Sequence, residues 1–212
     1  MGKSLYSLIL SDEVVKKIDV LAHRNGTNRS NYINQILADH ASVTTPEMRI
    51  NDIFGLINDF FGDGDLVPTY VPNQTTMSLK SCLEYKYRPT MKYEVELYHS
   101  NRGEVAGQLD VMFRTTSNEL LNKLVDFFNL IISIENKVLG EKHSYDLIDG
   151  KFTRSICVDN ISDYSSNQLA NAISEYVKVF DNCLKAYVGN NKSSEEILKM
   201  YYNYAKSAKI LI

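Results

Sequence analysis

The nearest approach to a metal-binding loop in this 212-residue chain is Asp63-x-Asp65, between Gly62 and Pro68. Two carboxylates at that spacing could begin a calcium loop, but the further oxygen ligands and the terminal glutamate that complete one do not follow. His23, His40, His99 and His143 lie far apart, and none has a second ligand three or four positions away, so no metal constellation is expected. The chain has no phosphate-binding glycine loop, no dinucleotide glycine signature and no G-x-S-x-G elbow. Cys82, Cys157 and Cys183 are an odd number at irregular spacings inside apolar segments, with no base positioned beside them, and they read as buried free thiols. The chain is therefore read as not an enzyme and as needing neither metal nor cofactor. Tyr85, Tyr87, Tyr93 and Tyr98 fall close together and could line a ligand pocket, but a tyrosine-rich sheet face is the reading preferred.

Composition sets the frame for these residues. Apolar residues make up 44% and charged residues 23% of the chain, as in an ordinary globular protein. The net charge of −3 gives the molecule no general attraction for nucleic acid, so any such contact must be local. Residues 1–45 carry Lys3, Lys16, Lys17, Arg24 and Arg29 against Asp12, Glu13, Asp19 and Asp39, a balance of +1 that leaves −4 for the remainder. No signal-peptide pattern opens the sequence and no long apolar run spans it, so a cytoplasmic protein without a membrane partner is expected.

Three short elements fit into the first forty residues. Ser4 to Leu10 is a β-compatible run, and Ser11-Asp12-Glu13 supplies a helix cap followed by acids in the first turn. Val14, Ile18, Leu21 and Ala22 recur at helical spacing until Asn25-Gly26 ends the helix. Asn28 can cap a second helix bearing Ile33, Ile36 and Leu37 on one face. One strand and two short helices cannot bury their apolar faces alone, so the unit needs a second copy, with strands pairing antiparallel across a two-fold axis.

Leu10-Ser11-Asp12-Glu13-Val14, Ile18, Leu21-Ala22 and Gly26-Thr27-Asn28-Arg29-Ser30-x-x-Ile33 resemble the ribbon-helix-helix repressors of the Arc, MetJ and CopG type, over about a fifth of the chain. The resemblance implies a ribbon that enters the major groove of double-stranded DNA, with Leu5, Ser7 and Ile9 facing the groove and Tyr6, Leu8 and Leu10 facing inward. It implies that Asn28, Arg29 and Ser30 anchor a phosphate at the start of the second helix. Lys3 stands at the edge of the groove face. The chain departs from the family in offering two aliphatic residues where polar or basic ones are usual. Leu5 and Ile9 can touch thymine methyls but cannot make bidentate contacts to purines.

Beyond this module the pattern predicts an α+β fold, with helices over one face of an antiparallel sheet. Thr45-Pro46-Glu47 opens a helix striped by Ile50, Ile53, Phe54, Ile57, Phe60 and Phe61, and residues 62–76 read as a linker. Alternation over Leu79 to Tyr87, Tyr93 to Leu97 and Val105 to Phe113 gives a three-stranded meander. Thr116 to Glu119 reads as a capping box before a helix running to Gly140. A fourth strand over Phe152 to Val158 follows, with further helices over Gln168 to Val188 and from Ser193 onward. The expected organisation is a dimerisation and DNA-binding module at 1–45, a helix and linker at 46–76, and an α+β domain of unassigned role at 77–212.

The function expected from this reading is a sequence-specific DNA-binding transcriptional regulator of the repressor kind, working as a homodimer or higher oligomer, with a protein partner on the C-terminal domain as a further option. The alternative is a scaffold or antitoxin-like dimer that uses the N-terminal module only for self-association.

Overall fold

The computed structural model describes residues 4–212, apart from 63, 72, 73, 149, 160, 190 and 191. Its first two helices lie where the caps predict. Ser11 caps α1 (Asp12–Arg24), its hydroxyl accepting from the Val14 amide at 3.4 Å. Asn28 caps α2 (Arg29–His40), its Oδ1 accepting from the Asn31 amide at 2.9 Å. The chain turns between them on Gly26, whose φ of +63° is easy only for a residue without a Cβ. Residues 4–10 form no strand. A ribbon strand needs a partner for its backbone groups, and the single chain offers none there, so the ribbon expected from the sequence is absent from one copy.

From Thr45 onward the chain builds a sheet covered by helices. Thr45 caps α3 (Pro46–Phe61), which buries Ile50, Ile53, Phe54, Ile57 and Phe61 and leaves Phe60 exposed. Six strands follow: β1 (Val67–Tyr70), β2 (Thr76–Cys82), β3 (Thr90–Arg102), β4 (Val105–Phe113), β5 (Tyr145–Ile148) and β6 (Lys151–Cys157). They pair antiparallel throughout in the order β1-β2-β3-β4-β6-β5. Strand β1 lies in the stretch expected to be a linker, and β5 was not expected. Each has four residues, too few for period-two alternation to stand out.

The register explains the single dry face. Leu79, Tyr93, Val111, Phe152 and Leu147 are successive partners across the sheet, as are Met77, Val95, Leu109, Arg154 and Tyr145. The opposite phase carries Lys80, Lys92, Met112 and Lys151 in one row and Ser78, Glu94, Asp110 and Thr153 in the next. Near the bulge after Leu97, a Cβ on Gly107 would lie 2.1 Å from the Glu96 carbonyl oxygen, so no larger residue fits this crossing of β3 and β4.

Helices α4 (Asn118–Leu139), α5 (Ser166–Val188) and α6 (Ser194–Ser207) complete the covering layer with α3. The capping box expected at Thr116 and Glu119 does not form. Ser117 is the cap, one residue later, which puts Leu120 at the third helical position, while Glu119 pairs with Lys123 at 3.6 Å. Full capping boxes stand instead at Ser165 with Gln168 and at Ser193 with Glu196.

Aromatic rings fill the interface between sheet and helices. Phe128 of α4 lies flat on Phe152 of β6, with ring centres 4.7 Å apart, and Phe127 meets Phe180 of α5 edge-on at 5.5 Å. Burial of each such side chain contributes about 1.5–3 kcal/mol, and the ring pairing adds roughly 1 kcal/mol.

Candidate nucleic-acid interface

The N-terminal segment presents its side chains outward. Leu5 is 99% exposed, Ser7 and Ile9 are exposed as well, and Lys3 lies outside the described residues. Tyr6, Leu8 and Leu10, expected to face inward, are also exposed, because the chain has folded nothing over residues 4–10. In α1 and α2 only Ala22 is buried, while Val14, Leu21, Ile36 and Leu37 stay open to solvent.

The turn into α2 brings Asn28, Arg29 and Ser30 together at a helix start, where the first backbone amides have no acceptor within the helix. Asn28 has its oxygen committed to the cap. Arg29 is also engaged: its Nε and Nη2 donate to the two carboxylate oxygens of Asp19, each at 2.6 Å. The hydrogen bond from Arg29, helped by its charge, holds the Asp19 carboxyl below the ordinary value. This fork joins α1 to α2 and offsets the positive charge of Arg29 at the turn. Ser30 is exposed and leaves its hydroxyl available to a ligand.

Other titratable groups gather elsewhere, around a buried ion pair. Arg154 and Glu135 are both 0% exposed. Arg154 Nε donates to Glu135 Oε2 at 2.7 Å, and Tyr145, Tyr176 and Tyr201 donate to the same carboxylate at 2.8, 2.7 and 3.1 Å. Burial works to raise the Glu135 pKa. The Arg154 charge and these hydrogen bonds outweigh it, so the group is held below its usual value and stays ionised. Arg154 also donates to the main-chain oxygen of Ile212, and its guanidinium lies over the Tyr176 ring at 4.2 Å. With four hydrogen bonds filling the acceptor positions of the buried Glu135 carboxylate, this cluster ties β5 and β6 to α4, α5 and α6.

Comparison with protein families, characterised proteins and solved structures finds no match to this chain.

The remaining candidates are dispersed. Of the four tyrosines, Tyr93 is buried and donates to Asp181 at 2.7 Å, and Tyr98 bonds Gln108 at 3.1 Å. Tyr85 and Tyr87 lie beyond the end of β2, in a turn where Tyr87 and Arg88 adopt φ of +66° and +44°. There they line a shallow hollow of about 660 Å³ with Lys86 and Arg114, apart from Tyr93 and Tyr98. Cys157 and Cys183 are buried thiols, whereas Cys82 is exposed because it falls on the outward phase of β2. Among the described residues no cluster of His, Cys, Asp and Glu could hold a metal, and Asp63 lies outside them. No described helix is long and apolar enough to cross a membrane.

Proposed function

We propose that this chain is a DNA-binding transcriptional regulator in which residues 1–45 form a ribbon-helix-helix unit with a second copy. The observation that carries the reading is the bare apolar surface of the first 44 residues. Eleven of the twenty exposed large hydrophobic side chains among the described residues lie there, from Leu5 to Val43. A folded segment with this much uncovered apolar surface is built to meet something, and the resemblance names a second copy as its partner. Antiparallel pairing of residues 4–10 across the dyad would satisfy their backbone groups and turn Tyr6, Leu8 and Leu10 onto the four helices. The opposite phase, Leu5, Ser7 and Ile9, would then face the major groove, flanked by Lys3 and by the α2 starts with Asn28, Arg29 and Ser30.

One observation favours the alternative of a dimer that holds a protein. The outward phase of the ribbon is mostly aliphatic, and Arg29 already spends its guanidinium on Asp19. Phosphate anchoring would then rest on the α2 amides and Ser30 more than on the arginine. Chromatin pull-down with sequencing, using the full chain in its native cell, separates the two readings. Recovery of discrete duplex sites supports regulation, whereas stoichiometric recovery of a protein with no enriched DNA supports the alternative.

A further inference from the structure

The turn between β2 and β3 meets the start of α4. Leu83 N donates to the Pro89 carbonyl at 3.0 Å and Arg88 N to the Tyr85 carbonyl at 2.8 Å, so residues 83–89 form a closed loop. Pairing of Met91 with Phe113 sets this loop beside residues 114–117, which lead from β4 into α4. The hollow of about 660 Å³ is lined by Tyr85, Lys86 and Tyr87 from the loop and by Arg114, Thr116 and Ser117 from the segment before α4. Its two rings differ. Tyr85 is half-buried against the core, with the Lys123 ammonium 5.4 Å from its ring centre. Tyr87 is 88% exposed at a φ of +66°, which is uncommon for a bulky residue, and Lys86 Nζ lies 5.2 Å from its ring centre. Lys86 and Arg114 are also exposed, and neither forms a salt bridge among the described residues. Glu119, the acid in the lining, is offset by Lys123 at 3.6 Å.

We propose that this hollow binds a mononucleotide, a flat base carrying a phosphate. The base stacks on the open ring of Tyr87, a contact available to any base because each has a π-face. The phosphate lies with Arg114, whose planar fork can meet two of its oxygens, and with Lys86 as a second, point-like charge. Two cations alone would take any anion, and an exposed ring alone would take any flat molecule. Side by side in one hollow, they call for both features on the same ligand. Residues 85–89 and 114–117 lie outside the strands, so a peptide finds no sheet edge here to extend. The volume is in the usual range for a small-molecule site. The site belongs to the sheet region and needs neither the ribbon nor a second copy of the chain.

The test is isothermal titration calorimetry of the full-length chain with three probes. Adenosine 5′-monophosphate should bind saturably. Adenosine, which lacks the phosphate, and ribose 5-phosphate, which lacks the base, should each bind about tenfold or more weakly. Arg114→Gln should bring the monophosphate down to the level of adenosine and leave adenosine unchanged. Tyr87→Ala should weaken the monophosphate about tenfold and leave ribose 5-phosphate unchanged. Both side chains are exposed, so neither variant should alter the melting temperature. No saturable binding of the monophosphate, equal affinity for all three probes, or full affinity in both variants would overturn the proposal. Leu5→Asp, aimed at the N-terminal surface, should leave monophosphate binding unchanged. Binding of the monophosphate by a protein that binds no duplex would keep this site and dismiss the regulator.

Discussion

In α4 a stripe at helical spacing, Leu120, Leu124, Phe128, Ile131 and Ile134, is buried to the last residue. In α1 and α2 stripes of the same spacing leave Val14, Leu21, Ile36 and Leu37 in water. The two regions share a sequence signal and differ in whether the chain itself supplies the cover. Periodicity records that a face is meant to be covered; it does not record by what. The sheet region closes its own core, with rings from β6, α4 and α5 in mutual contact, whereas residues 4–44 bury one alanine. Mutations should therefore act on stability in the first region and on association in the second.

The largest effect is expected from Arg154→Met, which leaves Glu135 charged, buried and without its cation. Urea unfolding should lose about 3–5 kcal/mol, and adding Glu135→Leu should recover much of it. Loss within 1 kcal/mol for the single change would mean that the cluster is looser than its distances indicate. Acid should act next. Burial, aided by the Arg154 charge, lowers the His143 pKa to about 4, while its Nδ1 lies 3.1 Å from the Ser155 carbonyl. The unfolded chain takes that proton near the ordinary histidine value of about 6.5. Between these values the unfolded state binds more protons, so stability is complete above pH of about 6.5 and declines as pH falls toward 4. With the ring partly open to solvent, the contribution is about 1–2 kcal/mol, and His143→Gln should flatten the profile across that window.

These two residues also mark what was legible in the sequence. The long helices could be read from their spacing, and Ser11, Asn28, Thr45 and Ser193 mark helix starts by the local work their type suggests, whereas Ser117 and Ser165, the caps of α4 and α5, were not singled out. The polar cluster left a fainter trace. Arg154 stands on the apolar phase of a strand between Phe152 and Ile156, and Glu135 sits inside the apolar stripe of α4, so each breaks a pattern from within. The break is visible in one dimension, but the pairing of a strand residue with a helix residue needs the register of β6 against α4. The Arg29 fork to Asp19 was likewise hidden, since it depends on the angle at which two short helices meet. For the candidate site, the sequence located the α2 turn that the structure contains, while residues 4–10, expected to pair as a ribbon, form no strand in the single chain.

The smallest stability effect is expected at Leu5. With the side chain in solvent, Leu5→Asp should change unfolding free energy by less than about 0.5 kcal/mol while removing duplex affinity through charge repulsion. A marked drop in the melting midpoint would mean that protein covers this residue in the assembled state, which would favour the alternative function.

The central claim is that the open N-terminal surface serves DNA. Titration of the full-length chain against genomic duplex at rising salt tests it most directly. The account predicts affinity that falls steeply and log-linearly with salt as phosphate counterions are released. Absence of binding to any duplex at low salt would contradict it.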